Sequence, residues 1–554
     1  MVNKKLAVVI VVVLLVASAL MAYLSLIPST PVTTTPSPTA PTTTPTTTPT
    51  TPSVQVPNPD TLIIAWWTEP GTVDPAWAYE SFGEIIQNCY DFLVDYKPGT
   101  TELEPELAEK WEVSPDGLTY TFYLRKNVKF ANGDPVNAEA VKYSLDRMLK
   151  INSAQAWMYT QCMDLNSVKV IDEYTVQIKL TRPYSPFIHT LAFLGAAVVN
   201  PNEVKAHEVN GDLGQDWLRE HTAGAGPYVL KEWTHGQRVV LERNPYYWRS
   251  WSGNHVSKII FLLAKDPATS RMMLENGEVD IAYGIPASQM RELEQNPDLK
   301  VVKTPTLMIQ TVAFNNQKPP TDDVRIRKAI SYAIDYQAII NEVAGGYAVQ
   351  MQGPLPKGLW SHDDALPVYQ RDLDRAKQLL AEAGYPEGGF TLEYYYMSTV
   401  EDDRKLGELL QAMLKEIGIN VELRGYSSTA WIDLVLNMTT APHLMSNGWM
   451  PDYADPDDYL YAMLHSSCWG ANGWNIAYYK NEQVDSLLDQ AQVEVDVSKR
   501  TSLYMQAQKL IVEDAPWIFL YQPMQLTPMR TWVHGYSAHP TLSTLFEIYP
   551  IYKA

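Results

Sequence analysis

The chain has 554 residues, of which 46% are hydrophobic, and its 63 acidic and 43 basic side chains give a formal net charge of −20. This acidic balance, without a cluster of Lys and Arg, argues against binding to a nucleic-acid backbone. Three cysteines, Cys89, Cys162 and Cys468, are too few and too widely spaced for a disulfide scaffold or a four-ligand zinc site, and their odd number leaves at least one free thiol.

The amino terminus carries an apolar run from Leu6 to Ile27, preceded by Lys4 and Lys5. A run of roughly 20 apolar residues crosses a bilayer as a helix, and leading lysines keep that end in the cytoplasm. We therefore predict that residues 1–27 are a single-pass anchor in the cell membrane and that the rest of the chain lies on the extracytoplasmic side. A secretory signal is the alternative, although this run is longer than the usual h-region of about 7–15 residues.

Residues 28–59 are rich in Thr and Pro and form the predicted stalk. They have few apolar side chains to bury, and prolines lack the backbone donors that helices and strands require. In polyproline II geometry, at about 3.1 Å per residue, the stalk spans up to roughly 100 Å. Dense Thr with Pro is also typical of O-glycosylated stalks.

About 500 residues follow the stalk, which is enough for two or three domains. An apolar run at residues 62–67 predicts a buried strand, and a helix is expected over residues 80–93. Apolar side chains then alternate from Leu118 to Leu124, which is typical of a hairpin with one buried face. Asn137 is the predicted N-cap of a helix over residues 138–148, and a second hairpin is expected at residues 168–180.

Beyond Phe314 the pattern becomes an alternation of strands and helices, which indicates an open α/β domain. Gly224 and Gly226 resemble part of a phosphate-binding loop, but Pro227 removes a donor and the third glycine is absent, so we interpret them as a turn. Strands are predicted at residues 229–233, 238–243 and 419–423, and helices at residues 324–344, 374–383, 403–417, 483–495 and 498–514.

Sequence signatures of enzymes are missing from the chain. The motifs G-x-S-x-G, H-E-x-x-H, the Walker loop and C-x-x-C do not occur. His207 and Glu208 approach a zinc-protease motif, but no second histidine follows at helical spacing. Paired catalytic carboxylates leave no local motif, so an extracellular hydrolase stays an alternative.

Residues 448–458, here called the acidic loop, are the strongest local candidate for a binding site. They combine four aspartates with Trp449, Tyr453 and two prolines. Such a loop can present a carboxylate against an apolar wall, which suits an ammonium group or sugar hydroxyls. It lacks the central glycine and the last glutamate of an EF-hand. The alternative is a solvated acidic turn in which Asp455 or Asp457 caps the following helix.

Many short blocks from Asp60 to the carboxyl terminus follow a known family in order. The blocks are residues 108–112, 116–122, 128–130, 226–228, 243–245, 247–248, 277–280, 324–330, 333–335, 376–384, 418–419 and 448–449, with Asp452, Asp455 and Pro456. By these blocks the chain resembles family 5 of the extracytoplasmic solute-binding proteins of ABC importers, which includes dipeptide, oligopeptide and nickel binders.

The resemblance implies an α/β fold of two lobes around a cleft, joined by two crossing strands, with an extra domain inserted in the first lobe. We expect residues 60–93, 223–314 and 518–554 to form lobe I and residues 315–517 to form lobe II. Residues 94–222 would be the inserted domain. The crossovers are expected near residues 314–315 and 519–520.

The resemblance also implies binding residues. In peptide-binding relatives, the aspartate three positions after the tryptophan of the Gly-Trp motif pairs with the α-ammonium of the peptide, and here that residue is Asp452. Trp449 and Met450 would line the neighbouring wall. Side chains from the first lobe are expected to reach the same cleft, although one of the tryptophans could instead pack in the strand core. These side chains are Trp66, Trp67 and Glu80.

The function implied by the resemblance is a membrane-tethered monomeric receptor that closes on a short peptide and delivers it to an ABC permease with its ATPase subunits. No metal, cofactor or chemistry on the ligand is expected. Abundant tryptophan and tyrosine keep open the alternative that the same fold binds oligosaccharides by ring stacking. Nickel is a lesser possibility, because no histidine cluster supports it.

Overall fold

The computed structural model describes residues 56–78, 83–541 and 546–554. The predicted anchor, the stalk up to residue 55 and the candidate site residue Glu80 therefore lie outside the described residues. Within the part of the chain that is described, no helix is long and apolar enough to cross a membrane.

The fold is built from strands and helices that alternate along most of the chain. The strands are β1 (Thr61–Trp66), β2 (Val94–Tyr96), β3 (Leu103–Pro105), β4 (Ala108–Val113), β5 (Thr119–Leu124), β6 (Val168–Asp172), β7 (Thr175–Lys179), β8 (Tyr228–Thr234), β9 (Arg238–Arg243), β10 (Lys258–Leu263), β11 (Ile281–Ala282), β12 (Leu299–Pro305), β13 (Ile309–Phe314), β14 (Ala348–Gln350), β15 (Thr391–Met397), β16 (Asn420–Tyr426), β17 (Leu444–Trp449), β18 (Trp517–Arg530), β19 (Val533–His534) and β20 (Tyr552–Lys553).

Most of the longer α-helices of the described residues lie after Phe314, where the sequence pattern predicts an alternation of strands and helices. They are α1 (Gly83–Cys89), α2 (Ala138–Ile151), α3 (Trp157–Thr160), α4 (Phe187–Thr190), α5 (Pro201–Ala206), α6 (Gln215–Leu218), α7 (Pro267–Glu275), α8 (Met290–Leu293), α9 (Val324–Ala333), α10 (Tyr336–Glu342), α11 (Leu373–Glu382), α12 (Glu401–Lys415), α13 (Ser428–Val435), α14 (Asp457–Leu464), α15 (Glu482–Val493) and α16 (Val497–Asp514).

The predicted hairpins form a separate antiparallel sheet in the order β4-β5-β7-β6. Buried and half-buried residues alternate along β5, because one face of this sheet packs against the core and the other meets solvent. Asn137 caps α2 as predicted, since its side chain accepts a hydrogen bond from the backbone N–H of Ala140. The sequence pattern alone therefore locates these elements.

One predicted helix is wrong in its length. Residues 324–344 were expected to form a single helix, but α9 ends at Ala333 and α10 begins at Tyr336. Ile334 has extended backbone angles, and the Asp335 side chain accepts a hydrogen bond from the N–H of Ala338. Aspartate competes for backbone donors in this way, so it starts a new helix where apolar spacing alone suggests continuity.

A mixed sheet forms the centre of the molecule. Among the described residues, twelve strands share it in the order β16-β15-β17-β13-β18-β11-β1-β10-β9-β8, and β12 and β14 also pair with β18. We call β1 and β8–β12 the first half of the sheet, and β13–β17 the second half. Helices α9–α12 pack on the second half and share a core with β13, β15 and β16.

The 14-residue strand β18 connects the two halves. Its residues up to Tyr521 pair with β13, and its residues from Met524 onward pair with β12. The chain therefore passes between the halves at residues 306–308 and at residues 522–523. The sequence placed the first crossover after Phe314, but β13 is already paired with β17 along its whole length. The residue boundaries of the two lobes stay a prediction.

Candidate functional site

Two strands, one from each half of the sheet, end with their carboxyl termini directed toward the junction between the halves. Strands β17 and β18 are both antiparallel to β13, so β17 runs toward the first half and ends there at Trp449. Strand β1 is parallel to β11, which is antiparallel to β18, so β1 runs toward the second half and ends at Trp66. In open α/β sheets, ligands bind outside the carboxyl ends of strands.

The acidic loop follows β17 directly, and all four of its aspartates are buried. Their exposed fractions are 5% for Asp452, 0% for Asp455, 3% for Asp457 and 0% for Asp458. The alternative of a solvated acidic turn is therefore wrong. Helix α14 has Pro456 as its N-cap, without a side-chain cap, although Asp455 accepts a hydrogen bond from the N–H of Asp457 at 2.9 Å.

Asp455 is held by a buried ion pair. Two guanidinium nitrogens of Arg500, on α16, donate to its two oxygens at 2.9 and 2.8 Å. The same guanidinium donates to the carbonyl of Ala491 and to the hydroxyl of Tyr504. This bidentate geometry gives both oxygens of the buried carboxylate a charged donor. Asp455 is therefore a structural anchor of the loop.

Asp457 is held by neutral donors. The hydroxyls of Tyr184 and Tyr453 donate to one carboxylate oxygen at 2.8 and 3.0 Å, and the amide of Gln492 donates to the other at 3.0 Å. Burial raises the pKa of Asp457, and the neighbouring charge of Asp455 adds to that shift. Tyr184 comes from the segment predicted as the inserted domain, so this network connects that segment to the loop.

Asp458 connects two of the predicted binding residues, Trp449 and Asp452. One of its oxygens accepts a hydrogen bond from the indole N–H of Trp449 at 2.9 Å and another from the backbone N–H of Asp452 at 3.1 Å. Burial, followed by the charge of Asp452, raises the pKa of Asp458 well above its ordinary value. The sequence analysis did not single out this residue.

The tryptophan and methionine candidates fall into two groups. Trp449 and Met450 are half-buried, and the Trp449 ring lies 6.1 Å from that of Trp474. On the other side of the junction, the rings of Trp66 and Trp67 stack at 4.5 Å. Trp66 is buried in the core, whereas Trp67 is 36% exposed.

Residues far away in the sequence complete the surroundings of the acidic loop. The hydroxyl of Tyr96 accepts a hydrogen bond from the N–H of Ala454 at 2.9 Å, and the indole of Trp360 donates to the carbonyl of Ala454 at 3.2 Å. Tyr459 donates to the carbonyl of Leu307, at the first crossover, at 2.6 Å. No local sequence signal marks these residues, because their contacts span between 94 and 358 positions.

The histidines, cysteines and carboxylates of the described residues bear on metal and thiol chemistry. No group of three or more His, Cys, Asp and Glu side chains in that part of the chain is arranged to hold a metal ion. Cys89, Cys162 and Cys468 are buried free thiols. Burial raises the pKa of Cys162 to about 12 and that of Cys468 to about 11, so both thiols stay protonated at neutral pH.

Comparison with known proteins identifies the class. The chain belongs to the bacterial extracellular solute-binding proteins of family 5, since the model of the middle region of that family matches residues 102–471. The fold is accordingly that of a two-lobed α/β binding protein. The resemblance inferred from the sequence blocks is therefore confirmed.

Individual relatives cover nearly all of the chain beyond the stalk. The probable D,D-dipeptide-binding periplasmic protein DdpA of Escherichia coli is 33% identical, over 88% of this chain and 93% of that protein. Heme-binding protein A of Haemophilus influenzae is 30% identical, over 83% and 86% of the two chains. The solved structure of the ABC transporter-associated periplasmic binding protein DppA from Helicobacter pylori, in complex with the peptide STSA, is 28% identical, with a TM-score of 0.72 over 89% of this chain and 98% of that one.

Proposed function

We propose that this protein captures short peptides in a cleft at the junction of the two sheet halves and delivers them to an ABC permease. The observation that carries the proposal is the buried carboxylate of Asp452, three residues beyond the carboxyl end of β17 and beside Trp449. The α-ammonium of a peptide would pair with Asp452. The predicted permease would obtain its energy from separate ATPase subunits, and the receptor would not alter its ligand.

The relatives support a peptide as the ligand. The protein named as a D,D-dipeptide binder and the structure that contains the peptide STSA share this fold over most of their lengths. Exclusion of water from an ion pair strengthens the charge-assisted hydrogen bonds between a carboxylate and an ammonium group. Closure of two lobes around the ligand would supply that shielding.

Substitution of Asp452 tests the proposed role. Asp452→Ala should weaken the binding of a free dipeptide by about 2 kcal/mol, roughly thirtyfold, because a charge-assisted hydrogen bond is lost. Isothermal titration calorimetry measures this change. Asp216→Ala is the matched control, because Asp216 is an exposed aspartate that pairs with Arg219 on the surface. Equal affinities for the wild type and Asp452→Ala would contradict the assignment.

A ligand screen separates the peptide from its rivals. Thermal unfolding should be followed with di- to pentapeptides, with cello-, xylo- and manno-oligosaccharides, and with heme. A ligand at 100 times its Kd stabilises the folded state by about 2.7 kcal/mol. Stabilisation by oligosaccharides or heme, with none by peptides, would overturn the proposal. Release of cleaved product from any of these ligands would instead favour a hydrolase.

We also propose that residues 1–27 tether the receptor to the membrane through the Thr/Pro stalk. The support is the length of the apolar run and the two lysines before it. Full-length protein should sediment with membranes, and a variant without residues 1–27, exported by a cleavable signal, should stay in the supernatant. If the protein expressed from the full sequence were recovered in the supernatant without its amino-terminal segment, that segment would be a cleaved signal instead.

A further inference from the structure

Asp458 stands at a point where three parts of the proposed site meet. It is the second residue of α14 and has no exposed surface. Its Oδ2 accepts both the indole N–H of Trp449, nine positions earlier, and the backbone N–H of Asp452, six positions earlier. Trp449 and the proposed ammonium-binding residue Asp452 thus both donate a hydrogen bond to one oxygen atom.

The other carboxylate oxygen of Asp458 lowers the stability of the folded protein. Oδ1 is buried and accepts no hydrogen bond from any described residue. A buried polar atom without a partner lowers stability, and a buried carboxylate near a second one lowers it further. The charge of Asp452 acts on Asp458 in this unfavourable sense. An amide oxygen could accept the same two hydrogen bonds, so the geometry uses the acceptor oxygen of this residue rather than its negative charge.

We infer that Asp458 is a positioning residue that aligns Trp449 and Asp452 and thereby sets the preference for ligands with a free amino terminus. The inference rests on the proposed function and adds to it the residue that controls selectivity. Trp449 ends β17 and Asp452 lies in the acidic loop, so their relative position is not determined by one secondary-structure element. The two hydrogen bonds to Oδ2 supply that constraint.

The geometry also predicts that loss of the Asp458 acceptor changes the preference for a free amino terminus, and not only the affinity for peptides. A carboxylate displaced by about 1 Å loses most of the directional hydrogen bonds to an ammonium group. Apolar and backbone contacts elsewhere in the cleft would persist. Loss of the Asp458 acceptor should therefore weaken the binding of a free peptide much more than that of the same peptide with an acetylated amino terminus.

The experiment compares Asp458→Ala with Asp458→Asn. Each variant and the wild type are titrated calorimetrically with one dipeptide in its free and N-acetylated forms, and the ratio of the two affinities is measured. We expect Asp458→Ala to reduce that ratio about tenfold or more. Asp458→Asn keeps an acceptor oxygen for both N–H groups and should retain the ratio within about threefold.

Two outcomes would overturn the inference. The ratio could stay unchanged in Asp458→Ala, because neither affinity changes or because both fall equally, or Asp458→Asn could lose the ratio as fully as Asp458→Ala. An equal fall in both affinities would indicate a purely structural role, and a full loss of the ratio in Asp458→Asn would assign the effect to charge. A wild type that binds no peptide would instead refute the proposed function, together with the inference that depends on it.

A further variant, Trp449→Phe, tests the inference if Asp458→Ala does not fold. Trp449→Phe removes one of the two donors to Oδ2 and keeps an aromatic ring. We expect it to lower the ratio by less than Asp458→Ala would, with a smaller effect on the acetylated peptide. A ratio equal to that of the wild type in Trp449→Phe would contradict the inference.

Discussion

Two regions of the molecule bury several carboxylates, and they hold them in different ways. In the acidic loop, Asp455 has its own arginine, Asp457 has three neutral donors and Asp458 accepts two N–H groups. The second region, here called the terminal acid cluster, lies where the carboxyl-terminal segment packs against the residues around β2. It consists of Asp91, Asp95, Glu106 and Glu547.

Three carboxylates of the terminal acid cluster share one arginine, whereas Asp95 accepts a hydrogen bond from the amide of Gln87 at 2.9 Å. Arg249 pairs with Glu106, and its charge also acts on Asp91 and Glu547. Burial raises the pKa of Asp91 and of Glu106, and the charge of Asp91 adds to the shift of Glu106. Burial, followed by the charge of Asp95, raises the pKa of Glu547 to about 7.

The difference teaches how a buried acid is kept ionised. A carboxylate with dedicated donors loses little by burial, because hydrogen bonds and an opposite charge replace its hydration. Carboxylates that share one cation repel one another and favour a proton instead. Asp455 therefore shapes the acidic loop through a dedicated cation, whereas Asp458 in the same loop, like the terminal acid cluster, has its pKa raised by burial and by a neighbouring carboxylate.

Removal of Arg500, the dedicated partner of Asp455, should have the largest effect on the stability of the protein. Arg500→Met leaves the charge of Asp455 buried without its cation, and we expect a loss of about 3–5 kcal/mol in the free energy of unfolding. Chemical denaturation measures this loss. The double variant Asp455→Leu and Arg500→Met should recover part of it, because no unpaired charge remains.

Arg404→Met serves as the control for that prediction. Arg404 pairs with Glu401 and Glu408 on the half-exposed surface of α12, so its removal should leave the unfolding free energy nearly unchanged. If Arg500→Met were as stable as Arg404→Met, the distinction between dedicated and shared partners would fail.

A smaller effect is expected from pH through the terminal acid cluster. Glutamate in an unfolded chain has a pKa of about 4.3, and the folded pKa of Glu547 is about 7. Because folding raises the pKa, the protonated group contributes stability that is complete below about pH 4 and is lost as pH rises through about 7. The melting temperature should therefore fall between pH 5 and pH 8.

Glu547→Gln isolates this contribution. An amide does not titrate, so the variant should show a weaker fall in melting temperature over the same pH interval. Glu482→Gln is the matched control, since Glu482 is 88% exposed and should leave the profile of the wild type in place. An identical pH profile for Glu547→Gln and the wild type would show that the cluster does not bind protons on folding.

Local patterns predicted much of the secondary structure. Alternation from Leu118 to Leu124 produced β5, and Asn137 capped α2, because both depend on neighbouring residues alone. The same reasoning failed at residues 324–344, where a local hydrogen bond from the N–H of Ala338 to the Asp335 side chain competes with helical spacing. The acidic loop was recognised as a candidate site, but its burial was not predictable from four aspartates.

The sequence by itself determined the family, the order of strands and helices and the location of the Gly-Trp motif, because these depend on spacing along the chain. Only the tertiary structure decided which aspartate carries which partner. Arg500 lies 45 positions from Asp455, and Tyr184 lies 273 positions from Asp457. Burial makes the pairing of such charges necessary, but the choice of partner follows from which elements pack together.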